Sequence, residues 1–352
     1  MPDVPDSSPS RRSREGRGSR EGRTAGVSHL SDPWSRRGAL PLDGALERGG
    51  GLAPWLAALL VLVGAFVVFQ VIGAVATSAL LIAREGAGAL GDPAAVQGLI
   101  TATDVVVGNS IGQVLGLAGP VLLMAWLHSS APWGGFLRLR RVPWALMGLA
   151  LLGMVGLQPV VGALTQLNAQ VPLPEFFRGL EEMRTGVIRQ VLESGLGPTV
   201  NLLGLAVVPA VCEELLFRGY AQRQLERSAG AAGGVALSGL LFGLYHLSPA
   251  QVVPLSVLGG YLAYLTWRTG SLWPAVGVHF ANNAFAVVSV ELATARPGVS
   301  LEEVEATAWP GYAVAGGALL FAAVAFVLHT RAPRWRPDRR GERPAGGPPD
   351  GT

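Results

Sequence analysis

Residues 208–225, Val-Pro-Ala-Val-Cys-Glu-Glu-Leu-Leu-Phe-Arg-Gly-Tyr-Ala-Gln-Arg-Gln-Leu, decide how the rest of the chain reads. The stretch begins as an apolar, membrane-type helix and then sets two adjacent carboxylates, Glu213 and Glu214, ahead of Arg218. An ionised side chain near the centre of a bilayer costs about 3 kcal/mol on insertion scales, so such groups pair, face the interior of a bundle and mark functional sites. In a helix Glu214 and Arg218 are four apart, lie on one face and can pair. Glu213 points about 100° away and is left free to face a cavity. One glutamate thus reads as structural and the other as chemical. Cys212 reads as a small packing residue, since its own helical turn supplies no basic partner to activate a thiol.

The composition fits the same picture. Of 352 residues, 50% are hydrophobic and only 14% charged, the balance of a multi-spanning membrane protein and not of a soluble domain. A single cysteine excludes an intramolecular disulfide and a cysteine-built zinc site. All 27 basic residues are arginine, and they sit at segment edges instead of on one face, so the net charge of +3 carries no nucleic-acid signal.

Residues 1–50 are rich in Arg, Ser, Gly, Pro and Asp without apolar periodicity and read as a disordered cytosolic tail, with Arg11, Arg12 and Arg14 in reach of anionic lipid. The tail lacks the pattern of a cleavable signal. Apolar runs follow at 54–83, 99–127, 143–169, 198–222, 232–247, 251–267, 272–292 and 308–329. Most reach the roughly 20 residues needed to span a bilayer, and two, 232–247 and 251–267, are short. The expectation is an all-α, polytopic membrane bundle of about eight transmembrane helices around an intramembrane polar cavity. Arg138, Arg140 and Arg141, then Arg223 and Arg227, then Arg268, then the cluster 331–343 follow the even-numbered runs, whereas Glu302, Glu303 and Glu305 follow an odd one. This distribution places both termini in the cytosol of a cell in whose plasma or inner membrane the protein sits. The tail 331–352 reads as basic and disordered, and 293–330 as the last transmembrane helix with its approach. Within 51–194, the N-terminal transmembrane region, one segment does not span. From Glu175 to Leu192, Phe176, Phe177, Leu180, Met183, Val187, Ile188 and Val191 recur at helical spacing opposite Arg178, Glu182 and Arg189, as in a helix lying in the membrane interface.

Two further motifs carry chemistry. Phe242-Gly-Leu-Tyr-His246 and His279-Phe-Ala-Asn-Asn283 each place two such residues four apart on one helix face. A lone histidine in apolar surroundings is normally a packing residue. Two of them, an asparagine and an unpaired glutamate on separate short helices make up the parts of a hydrolase: a carboxylate or imidazole to take a proton from water, and imidazole and amide donors for an oxyanion. Asp104, Asn109 and Gln113 share a face of the second run and suit helix-to-helix hydrogen bonding. Serine- and aspartate-protease patterns are absent: there is no Gly-x-Ser-x-Gly turn, Ser238 is a small packing residue, and Gly91-Asp92-Pro93 is a loop.

Glu213-Glu214-x-x-x-Arg218, Phe242-x-x-x-His246 and His279-x-x-x-Asn283, in that order on successive hydrophobic segments, resemble the three motifs of the CPBP (CAAX, or Abi) family of intramembrane endopeptidases, over about 195–292. The resemblance implies a helical catalytic domain at 195–292 that cleaves a membrane-associated peptide or protein. It implies that Glu213 and His246 activate water, that His279 and Asn283 stabilise the oxyanion, and that Glu214, Arg218 and Phe242 support the site. It also implies a candidate zinc ion, for which Glu213, His246 and His279 are a chemically adequate set. A metal-free, glutamate-activated water uses the same residues, spacing does not separate the two, and no His-Glu-x-x-His is present. A rival of another class is a non-catalytic immunity protein, scaffold or transporter using the same polar cluster. One tension remains in the linear reading. If the fifth run starts at the cytosolic side, His246 falls at its outer end, while Glu213 and His279 lie only about 10 to 15 Å in.

Overall fold

The computed structural model describes residues 28–30, 40–49, 51–91, 96, 98–130, 132–294 and 308–330. The tail up to residue 27, Asp92 and Pro93 of the 91–93 loop, the acidic loop at 302–305 and the arginine cluster and tail at 331–352 lie outside the described residues. Among the described residues eight long helices make up the body: α1 (Pro54–Glu85), α2 (Ala102–His128), α3 (Trp144–Ala169), α4 (Glu175–Glu193), α5 (Pro198–Tyr245), α6 (Val252–Thr269), α7 (Trp273–Thr294) and α8 (Gly311–Thr330). Three of them start where local chemistry favours it. Pro54 and Pro198 open helices at a position where the missing N–H is no loss. The α2 N-terminus is closed by a capping box in which the Thr101 hydroxyl accepts from Asp104 N and the Asp104 carboxylate accepts from Thr101 N. Asp104 also pairs with Arg84 of α1 at 3.0 Å, so this buried carboxylate caps and links helices.

The protein is a helical membrane bundle, to which the described residues add a short antiparallel ribbon, Ser28–Leu30 against Leu40–Leu42. Among the described residues six segments are long and apolar enough to cross a membrane, namely α1, α2, α3, α5, α7 and α8, against the eight spans expected. The difference lies in two runs. The fourth and fifth runs are the two arms of α5, joined through a sharp turn at Gly230 and counted together as one segment, and the sixth is the 18-residue α6, whose apolar character is diluted by Tyr261, Tyr264, Trp267 and Arg268. Aromatic rings stand exposed near helix ends, among them Trp55, Trp126, Trp144 and Tyr312, as side chains with an apolar body and a polar tip do at a membrane boundary.

The break in α5 is at Gly230, whose φ of 71° is open to glycine and strained for other residues. Helix continues beyond the apolar run through Gln222–Ser228 before this break, so the chain turns well past residue 222. Glu213 then lies about 25 Å of helix before the turn and His246 about 24 Å after it, which brings them level when the arms run side by side. The tension in the linear reading is thereby resolved, because polar residues extend the first arm.

Small residues set how close the helices come. Gly239 and Gly243 of the second α5 arm abut Gly260 and Ser256 of α6, and Gly156 of α3 meets the backbone of Gly317 on α8. A methyl group on Gly116 would lie 2.3 Å from Phe69 Cα of α1, whereas one on Gly64 would meet nothing. Gly116→Ala is expected to cost about 1–3 kcal/mol, read as a lower unfolding temperature in detergent, while Gly64→Ala leaves it unchanged. Equal melting of the two variants would contradict this packing.

The arginine-bearing loops converge on one end of the bundle. Arg138 pairs with Glu226, Leu272 N donates to Arg138 O, Ser271 Oγ donates to Arg140 O, and Arg268 donates to His329 O at 2.9 Å. Within the stretch expected to be a tail, residues 40–49 dock at this end. Leu42 is buried, Gly44 N donates to His128 O, and Glu47 binds both His128 Nδ1 (2.9 Å) and Arg227 (3.1 Å).

Candidate active site

Turns of π-helix, Leu203–Val207 and Leu215–Ala221, flank the ordinary helical turns that carry Glu213 and Glu214. Such wide turns leave a helix locally irregular and recur at functional sites. Glu214 and Arg218 are both fully buried and paired at 2.8 Å, as their spacing requires. Arg218 also donates to Gly259 O of α6 at 2.8 Å and lies over the Phe242 ring, 4.5 Å from its centre. Phe242 in turn sets both histidines edge-on, with ring centres 4.9 Å from His246 and 5.6 Å from His279. One aromatic side chain therefore spaces the guanidinium and the two imidazoles.

Each imidazole has one nitrogen committed and one free. His246 Nδ1 donates to Phe242 O at 2.8 Å, and His279 Nδ1 donates to Glu214 Oε1 at 2.9 Å. Both Nε2 atoms turn toward Glu213 Oε2, at 3.9 Å for His246 and 4.0 Å for His279. Glu213 Oε2 is buried and has no hydrogen-bond partner among the described residues. Separations of this size between polar atoms are those that a shared water bridges. The His246 side chain is 30% exposed against 4% for His279, so access to the cluster is from the His246 side.

Asn283 stands one turn along α7 from His279. Its Nδ2 donates to Leu205 O at 3.3 Å and its Oδ1 accepts from Asn282 Nδ2 at 3.0 Å, which leaves one N–H uncommitted. Asn282 is itself reached by Gln158 Nε2 of α3 at 3.4 Å. The linear reading missed Asn282 and Gln158. The available signals were the Asn-Asn doublet and a lone amide in the apolar 143–169 run, but neither reveals its partner. It also missed the cover over the His246 loop, where Ser248 Oγ donates to Glu181 of α4 at 2.7 Å and Asn168 donates to Pro249 O at 2.6 Å. The amphipathic helix is present as α4, with Val191 buried and Phe176, Met183 and Ile188 exposed.

The fit to zinc can be judged on these distances. Zinc holds nitrogen and oxygen donors at about 2.0–2.2 Å, which puts tetrahedral donors roughly 3.4 Å from one another. The separations of 3.9 and 4.0 Å are wider, and among the described residues no group of three or more His, Cys, Asp or Glu is placed to hold a metal ion. As placed, Glu213, His246 and His279 do not fit the ion.

Residues 195–285, which contain all seven motif positions, match the family model of Rce1-like type II CAAX prenyl endopeptidases. This segment belongs to the CAAX endopeptidase family. No curated protein and no solved structure gives a significant match. The CAAX endopeptidase segment comprises α5, α6 and most of α7, so the family match covers the elements that build the cluster and leaves α1–α4 and α8 outside it. With its apolar helices, the chain is a multi-pass membrane protein that carries a segment matching the CAAX-type endopeptidases.

Proposed function

We propose that the chain hydrolyses a peptide bond of a membrane-associated peptide or protein by a water held between Glu213, His246 and His279. The observation that carries this reading is the buried, unpartnered Glu213 Oε2 facing two imidazole nitrogens at water-bridging distance. The contacts of Glu214 support it further. Glu214 Oε1 lies 2.8 Å from Arg218 and 2.9 Å from His279 Nδ1, and in the proposed mechanism His279 carries a proton on each ring nitrogen. His279 Nε2–H then becomes a donor, which supplies what three lone pairs meeting at one point otherwise lack.

Glu213 takes a proton from the water as its oxygen attacks the scissile carbonyl carbon. The oxyanion that forms accepts from His279 Nε2–H and from the free N–H of Asn283. When the C–N bond breaks, the proton held by Glu213 passes to the departing amine, leaving a carboxylic acid and an amine, the balanced products of hydrolysis. His246, oriented by Phe242 O, accepts the second proton of the water in a hydrogen bond and fixes its line of attack. The arginine-bearing end faces the cytosol in this reading.

The test is cleavage of a fluorogenic lipidated peptide by the detergent-purified chain, run with and without a strong metal chelator and alongside the metal content of the preparation. Cleavage is expected to persist in chelator within about twofold, since no step uses a metal. Activity that disappears on chelation and returns with zinc would replace the metal-free mechanism; no cleavage of any lipidated or unmodified peptide would favour a non-catalytic role.

A further inference from the structure

Glu213, Glu214, Arg218, Phe242, His279 and Asn283 all lie within α5 or α7, whereas His246 stands at a helix end. Helix α5 stops at Tyr245, His246 is its cap residue, and Leu247 follows in the left-handed region with a φ of 50°. Glycine is the usual residue at that place, because in this conformation a Cβ crowds the following carbonyl oxygen. Leu247 is 61% exposed, so packing of its own side chain does little to offset the strain. A residue other than glycine stays in such a conformation where its surroundings fix the backbone from several sides.

Two other helices supply that hold. Ser248 is fully buried, and its Oγ donates to Glu181 Oε2 of α4 at 2.7 Å. Asn168 Nδ2, at the end of α3, donates to Pro249 O at 2.6 Å. Glu181 is fixed in its turn by Arg184, three residues on, which pairs with Oε1. Burial pushes the Glu181 carboxyl up, but the Arg184 guanidinium and the Ser248 hydroxyl together bring it below its usual value, so at neutral pH it is ionised and only accepts. The clamp therefore grips the chain two and three residues past His246, whose Nε2 stands 3.9 Å from Glu213 Oε2. The bond from His246 Nδ1 to Phe242 O sets the tilt of the ring, but it aims the ring correctly only while the backbone at the helix end keeps its place. Both anchors, Asn168 and Glu181, lie outside the 195–285 segment that matches the family.

Resting on the hydrolase reading above, we propose that Glu181 and Asn168 are positioning residues for His246: they hold the strained turn at Leu247 and so keep Nε2 aimed at the water beside Glu213. They act through the backbone of 246–249. Released, Leu247 relaxes to a negative φ, the last turn of α5 loosens and the imidazole leaves its line. The loss then falls on the chemical step and not on substrate binding.

The experiment uses full-length protein in detergent and the fluorogenic lipidated peptide, with kcat and KM measured separately and amide hydrogen exchange followed over 244–251. Glu181→Ala should lower kcat about tenfold or more, with KM within about twofold, and should speed exchange in the turn. Glu181→Gln keeps an oxygen acceptor for Ser248 and should recover most of that loss. Leu247→Gly removes the strain that the clamp opposes, so in the Glu181→Ala background it should raise kcat by about fivefold, a gain not seen when Glu181 is present. Where Glu181→Ala does not fold, Asn168→Ala releases only the Pro249 carbonyl and takes its place with the same expected pattern. Unchanged exchange or wild-type kcat in Glu181→Ala overturns the proposal, as does a double variant no faster than Glu181→Ala. A loss confined to KM makes α4 a gate for substrate and overturns it as well. Full activity in Glu213→Gln, or no cleavage by wild type, overturns the hydrolase reading and the positioning role with it; loss in Glu213→Gln beside an unaffected Glu181→Ala overturns the positioning role alone.

Discussion

Glu213→Gln is expected to lower peptide cleavage by about 10²–10⁴-fold, the usual contribution of a positioned proton acceptor. The substitution keeps the shape of the side chain and removes its ability to take a proton from water. Because Glu213 makes no hydrogen bond to other described residues through Oε2, the loss should appear in kcat without a fall in the unfolding temperature. Glu214→Gln should behave differently. Its carboxylate holds Arg218 at 2.8 Å and His279 at 2.9 Å, so both stability and activity should fall. Single-turnover cleavage and thermal unfolding on the same preparations separate the two cases. Equal activity of Glu213→Gln and wild type would remove this residue from the chemistry, and an equal effect of the two substitutions on stability would undo the division between a chemical and a structural glutamate.

Arg218→Ala carries the largest expected stability effect. The guanidinium is fully buried, with Glu214, Gly259 O and the Phe242 ring as its surroundings. Removing it strands the Glu214 charge in an interior without water, for which losses of about 3–5 kcal/mol are typical. Arg218→Lys should recover only part of this, because an ammonium cannot reach a carboxylate and a carbonyl with a planar fork while lying flat on an aromatic ring. The double variant Arg218→Met, Glu214→Leu removes both charges and should be more stable than Arg218→Ala, yet inactive, since His279 loses the acceptor for Nδ1. Unfolding in detergent with intrinsic tryptophan fluorescence reads all three. Melting of Arg218→Ala at the wild-type temperature would show that the pair is not holding the α5 to α6 junction.

The legible part of this protein was the part governed by neighbours in the chain. The Glu214–Arg218 pair, the amphipathic helix near 175–192 and the shared helix faces of Phe242 with His246 and His279 with Asn283 all follow from the helical period, which spacing reveals directly. Lengths of apolar sequence located the helices but not how they join. The fourth and fifth runs do form separate arms, but the turn between them lies further on than hydropathy shows, because the helix runs on through the polar residues Gln222–Ser228 to Gly230.

Amino-acid order alone determined the class, a helical membrane bundle, because burying so many apolar side chains with so few charges has no other outlet than lipid. It also determined which carboxylate pairs with Arg218, because that distance is set within one turn of one helix. Tertiary structure decided everything that crosses between helices. The meeting of Glu213 with His246 and His279, the hold of Gln158 and Asn282 on Asn283, and the hold of Glu181 and Asn168 on the turn after His246 depend on where the chain turns and how closely glycines let the helices approach. The contacts between helices join residues from 33 (Glu213 with His246) to 124 (Gln158 with Asn282) positions apart, and no local period encodes them: they are fixed by packing, which acts on the assembled bundle.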